Sequence, residues 1–103
     1  MDPKMTAQLS NLQSQLNAPE LVKGIWYRPS HVAYELICYI NNIVALDASK
    51  NYETVPLFIE RARKYLSGSK AEAVSEEYRQ VVARYLAQME KALEDNARQS
   101  SAT

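Results

Sequence analysis

Only Gly24, Gly68 and the four prolines Pro3, Pro19, Pro29 and Pro56 punctuate this chain. Glycine and proline are the strongest local breakers of regular structure, so long stretches are free to run as helices. The apolar residues between the breakers recur at steps of three and four, the spacing of one helix face. Strand-like alternation is absent. With 103 residues and 47% hydrophobic content, the chain suits one all-α domain, a small antiparallel bundle with its own core.

Five helical segments are expected. The first carries Met5, Leu9, Leu12 and Leu16 as a narrow stripe, with Asp2 before Pro3 as its N-cap. A capping box at Asn17–Glu20 then opens a short helical piece with Leu21, Val22, Ile25 and Trp26, expected to fold over the bundle as a lid. An exposed Trp26 acting as a binding anchor is the other reading of that piece. The central helix runs from Ser30 to about Ser49 through Val32, Leu36, Tyr39, Ile40, Ile43 and Leu46, widened by Ala33, Ile37 and Val44. The next begins near Thr54 and buries Val55, Phe58, Ile59, Ala62, Tyr65 and Leu66, with Gly68 as its C′ residue. Ser69–Glu72 reads as a capping box for the last helix, whose face is Val74, Tyr78, Val81, Val82, Tyr85, Met89, Ala92 and Leu93. In this organisation residues 1–29 form an N-terminal helix and lid, 30–98 a three-helix core, and 99–103 a frayed tail.

Several function classes find no support in the residues. Twelve basic and twelve acidic side chains cancel, so the basic excess of a nucleic-acid binder is missing and none is expected as partner. No apolar run is long enough to cross a bilayer. The N-terminus lacks the apolar centre of a signal peptide, and the single Cys38 cannot pair within the chain, so a reducing, cytoplasmic setting is expected. The one histidine, His31, has no partners for a nucleophilic site, and metal ligands do not converge. Two glycines cannot build a phosphate-cradling loop. The chain is therefore expected to be no enzyme, to hold no cofactor or metal, and to act on another protein.

Seven tyrosines stand against one phenylalanine. Those on core stripes must bury a ring and place a hydroxyl on a partner or at a wet edge.

From Leu36 to Leu66 the string LICYINNIVALDASKNYETVPLFIERARKYL resembles the first helical hairpin of MIT domains. Leu46 and Asp47 stand near the end of one helix, and Asn51, Tyr52 and Glu53 open the next at the family spacing. Ala62, Tyr65 and Leu66 follow, while Tyr85, Leu86, Met89, Glu90 and Lys91 resemble the family's third helix. Lys50 replaces the usual turn glycine, Pro56 moves the second helix start later, and Ala87 stands where the family often has Asp. The resemblance implies recognition of short partner segments in grooves between helices. It names Phe58, Ala62 and Tyr65 on one wall, and Tyr85, Met89 and Leu93 on the other.

Two alternatives arise without the resemblance. A small immunity, antitoxin or secretion-chaperone type protein would hold one dedicated partner through a whole face. A self-associating subunit would pair through the Leu9, Leu12 and Leu16 stripe.

Overall fold

The computed structural model describes residues 3–101, and the side chains of all of them but 73 and 99–101. Its elements are α1 (Pro3–Leu16), β1 (Glu20–Val22), β2 (Ile25–Tyr27), α2 (Pro29–Val32), α3 (Tyr34–Ala48), α4 (Val55–Leu66), a 3-10 segment (Ser69–Ala73) and α5 (Glu76–Ser101). The architecture is the expected helical bundle, with one small hairpin added. Helix α1 lies on α5, α5 on α4, and α4 on α3. Pro56 at the start of α4 shares a cleft with Leu93 late in α5, so these two helices run antiparallel.

The stripe of α1 is used inside the chain. Leu9, Leu12 and Leu16 are buried in the same cluster as Leu36, Ile40, Ile43, Tyr78 and Met89. Gln13 Nε2 donates to the Tyr78 hydroxyl at 2.9 Å, fastening the end of α1 to the start of α5. This corrects two expectations. The stripe is not free to pair with another copy, and α1 belongs to the core instead of standing beside a three-helix unit. The Asp2 cap lies outside the described residues.

The segment after α1 is not a short helix. Its chain reverses at Lys23 and Gly24, with φ of 52° and 77°, the left-handed pair that a two-residue hairpin turn requires. Glu20 pairs with Tyr27, Leu21 with Trp26, and Val22 with Ile25, antiparallel. The flanking Val, Ile, Trp and Tyr residues favour extended backbone, and nine residues between Pro19 and Pro29 leave no room for a stable helix. Asn17–Glu20 therefore caps nothing.

The expected helix from Ser30 bends at Ala33 (φ −85°, ψ 6°), which divides it into α2 and α3. Tyr65 from α4 donates its hydroxyl to the Val32 carbonyl at this bend, at 2.9 Å. Helix α3 then buries Leu36, Ile40 and Ile43 and closes on a Schellman turn. The Lys50 N–H bonds the Asp47 carbonyl (3.1 Å) and the Asn51 N–H the Leu46 carbonyl (2.9 Å). Lys50 takes the left-handed C′ conformation, φ 55°, at a position where glycine is the usual residue. Tyr52 donates to Asp47 Oδ1 at 3.0 Å, bracing the loop.

Helix α4 follows its expected stripe, burying Val55, Ile59, Ala62 and Tyr65. Gly68 is at C′, but its backbone is extended (φ −92°, ψ 171°), so the left-handed freedom of glycine is unused there. The expected Ser69–Glu72 capping box does not form: Ser69 lies inside the 3-10 segment, which follows Gly68 with no side-chain cap hydrogen bond. Helix α5 starts later, where Ser75 Oγ accepts from the Tyr78 N–H at 3.3 Å, and Glu76 and Glu77 occupy the positive first turn. The chain is held in 3-10 form before that because Ala71 and Val74 are buried. At the far end α5 stays helical to Ser101, past the expected fraying at 99; residues 102–103 lie outside the described part.

Candidate interaction surface

The six residues expected to line a groove do not share one surface. Ala62, Tyr65, Tyr85 and Met89 are buried in the core, and Phe58 and Leu93 are partly buried at its edge. Phe58 faces α3, its ring 6.4 Å from that of Tyr39. Leu93 lines a cleft between α4 and α5 of about 430 Å3, together with Pro56, Ile59, Glu60, Arg63 and Glu90. Arg63 and Glu90 are ion-paired across it, both half exposed, so the pair contributes at most about 1 kcal/mol. A partner lying on the folded chain reaches Leu93, Phe58 and the rim of Tyr65, but not Ala62, Tyr85 or Met89.

The buried tyrosines differ in how their hydroxyls are satisfied. That of Tyr65 has the Val32 carbonyl, and that of Tyr78 has Gln13. Burial pushes the Tyr78 phenol up to about 12, a rise the Gln13 hydrogen bond partly offsets. The Tyr85 hydroxyl is buried without a hydrogen-bond partner among the described residues. Burial raises its pKa strongly, and the Asp47 carboxylate adds to the rise. Both phenols stay neutral in the fold and serve packing.

A different region is bare. Seven large hydrophobic side chains are exposed among the described residues: Leu21, Val22, Ile25, Trp26, Val32, Tyr34 and Leu57. All but Leu57 fall between residues 21 and 34, so the exposure is concentrated, not scattered. In the hairpin, Leu21 and Trp26 are one cross-strand pair and Val22 and Ile25 the next. Successive pairs point to opposite faces, and therefore both faces are apolar. Trp26 is 67% exposed and Ile25 69%. The lid expectation is thus overturned, since these side chains do not cover the bundle.

At the base of the hairpin a hollow of about 490 Å3 is lined by Pro19, Trp26, Tyr27, Arg28 and His31. Arg28 and His31 also border a second hollow with Asn17, Ser30, Tyr34 and Ile37, so the exposed Trp26 and Tyr34 stand at two adjoining hollows. Tyr27 donates its hydroxyl to Glu20 at 3.1 Å and ties the two strands at their open end. Sequence reasoning singled out Trp26 but missed its three neighbours. The available signal was the two-residue Lys-Gly step between pairs of strand-forming residues.

Elsewhere, Arg61, Lys64 and Lys70 stand around a hollow with Glu35, Tyr39 and Tyr65. Lys70 is paired with Glu35 at 3.8 Å. Among the described residues no three His, Cys, Asp or Glu side chains come together as a metal site would need. Comparison with protein families, with curated proteins and with solved structures finds no match to this chain.

Proposed function

We propose that the protein is a non-enzymatic protein–protein interaction module whose docking element is the β-hairpin together with the Val32–Tyr34 surface at its base. One observation carries this reading: six of the seven exposed large hydrophobics lie between residues 21 and 34. Contiguous apolar surface on a folded chain marks an interaction site, whereas single exposed apolar residues do not. An exposed tryptophan beside a hollow is also the usual form of an interface anchor. A dedicated partner held through a whole face, as immunity or chaperone proteins hold theirs, suits this surface. The free thiol of Cys38 suits a cytoplasmic setting, and no helix among the described residues is long and apolar enough to cross a membrane.

The α4–α5 cleft supports a second reading, recognition of a partner segment between helices, as the likeness to MIT domains implies. Its accessible apolar wall is Leu93 with Pro56 and Ile59.

Retention of partners from the native host on immobilised full-length chain separates the two. Ile25→Ser/Trp26→Ser is expected to abolish retention, while Leu93→Ser leaves it unchanged. The opposite pattern would move the site to the cleft, and retention indifferent to both would remove the hairpin from the function.

A further inference from the structure

We infer that the hollow between α3, α4 and the 3-10 segment is a binding site for a phosphomonoester, its phosphate held by Arg61, Lys64 and Lys70. This goes beyond the docking reading and does not depend on the hairpin.

The first observation is how α4 divides its charges. On the side of α5, Arg63 is matched by Glu90 across the cleft. On the other side Arg61 and Lys64 line the hollow, and neither has an ion-pair partner among the described residues. Lys64, in the last turn, suits the negative end of the helix dipole. That reason does not reach Arg61, a turn earlier. Residues three apart are neighbours on a helix surface, so Arg61 adds like charge beside Lys64. Lys70 brings a third cation from the 3-10 segment. Its contact with Glu35 is long, 3.8 Å, and both side chains are more than half exposed, so Lys70 is only loosely engaged.

The hollow therefore carries three cations against one carboxylate, an excess of two positive charges. A phosphomonoester brings about −1.5 to −2 at pH 7, which matches that excess where a single carboxylate would leave half of it. An arginine also donates to two oxygens of such a group at once.

Shape is the second observation. The hollow measures about 490 Å3, within the ~300–1,000 Å3 range of small-molecule sites, and a phosphate alone fills only a part of it. Tyr39 and Tyr65 complete its wall. The Tyr39 ring stands against Phe58, centroids 6.4 Å apart, and Tyr65 is fixed by its bond to the Val32 carbonyl. Two held aromatic side chains beside a cationic rim give the organic part of the ester an apolar surface to lie on.

The probes are inorganic phosphate and phenyl phosphate, titrated into the full-length chain near neutral pH while the amide NMR shifts of Gly68, Ser69 and Lys70 are followed. Both are expected to bind, phenyl phosphate at least about threefold tighter because its ring reaches the tyrosines. Arg61→Gln is expected to weaken binding about tenfold. Glu35→Gln should tighten it severalfold, since it removes the one opposing carboxylate and frees Lys70. Arg63→Gln, on the other side of the helix, should leave it unchanged, with helical circular dichroism intact in all three variants. Unmoved shifts at Gly68, Ser69 and Lys70 would overturn the proposal. So would equal losses in Arg61→Gln and Arg63→Gln, the mark of a general attraction to positive surface. A short phosphoserine peptide separates the sources of the ester: tighter binding than phenyl phosphate assigns the site to a modified polypeptide, weaker binding to a free small molecule. Ile25→Ser/Trp26→Ser should leave phosphate binding untouched, so this site and the hairpin stand or fall separately.

Discussion

Helix α1 and the hairpin that follows it are consecutive in the chain and opposite in fate. Six of the fourteen residues of helix α1 are Gln, Ser or Asn, yet its three leucines vanish into the core. The hairpin is far richer in apolar residues, and all of its Leu, Val, Ile and Trp side chains remain exposed. Apolar content therefore does not decide burial here; geometry does. A helix gathers residues spaced by three and four onto one line that a neighbouring helix can cover. A strand sends adjacent residues to opposite faces, so Leu21–Val22 and Ile25–Trp26 cannot all be covered by one bundle.

The largest effect that tests this contrast is on stability. Leu12→Ala is expected to cost about 3 kcal/mol in urea unfolding, because it opens a cavity at a fully packed site. Trp26→Ser, which removes a larger side chain, should change stability by no more than about 0.5 kcal/mol. A comparable loss from both would mean that the hairpin packs on the bundle after all.

Alkaline pH gives the next largest effect. The Tyr78 phenol is raised from 10.0 to about 12 in the fold, so above pH 10 the unfolded chain releases its proton first. The stability this group contributes is whole below pH 10 and is lost as pH rises toward 12, on the order of 2 kcal/mol. Tyr27, exposed on the hairpin, is raised by its hydrogen bond to Glu20 and by the nearby charge, without a core to lose. Following phenolate absorbance beside helical circular dichroism distinguishes them: Tyr78 ionises with unfolding, Tyr27 before it.

Smaller effects come from two local misfits within the bundle. Tyr85→Phe removes a buried hydroxyl that has no partner among the described residues and is expected to stabilise the fold by about 1 kcal/mol. Tyr65→Phe, by contrast, should cost about 1 kcal/mol, since the Val32 carbonyl loses its donor. Lys50→Gly is expected to raise the unfolding midpoint by relieving a left-handed backbone, worth up to about 1 kcal/mol. A loss at Lys50→Gly would show that its side chain contributes more than its backbone strain costs.

Much of the bundle is legible in residue spacing alone. The stripes of α1, α4 and α5 are where spacing placed them, because helical periodicity is a local property that a covering surface only has to accept. Boundaries were less legible. Ser69–Glu72 and Ser75 are both plausible caps, and only the burial of Ala71 and Val74 decides that α5 waits for Ser75. The bend at Ala33 has no local breaker; it is the Tyr65 hydroxyl, thirty-three residues away, that meets the Val32 carbonyl there. The groove residues were misjudged for the same reason. A stripe on a helix looks alike whether it faces the core or a partner, and for Ala62, Tyr65, Tyr85 and Met89 it faces the core.

Residue order alone settled the helical class, the apolar faces of the long helices and the balanced charge, since each follows from spacing or counting. Which apolar residues are left over was settled by packing. Helices α1, α3, α4 and α5 satisfy one another's faces, and the hairpin between Pro19 and Pro29 is turned outward with no face left to meet. A surplus of that kind is a property of the whole set of contacts, and no window of sequence contains it.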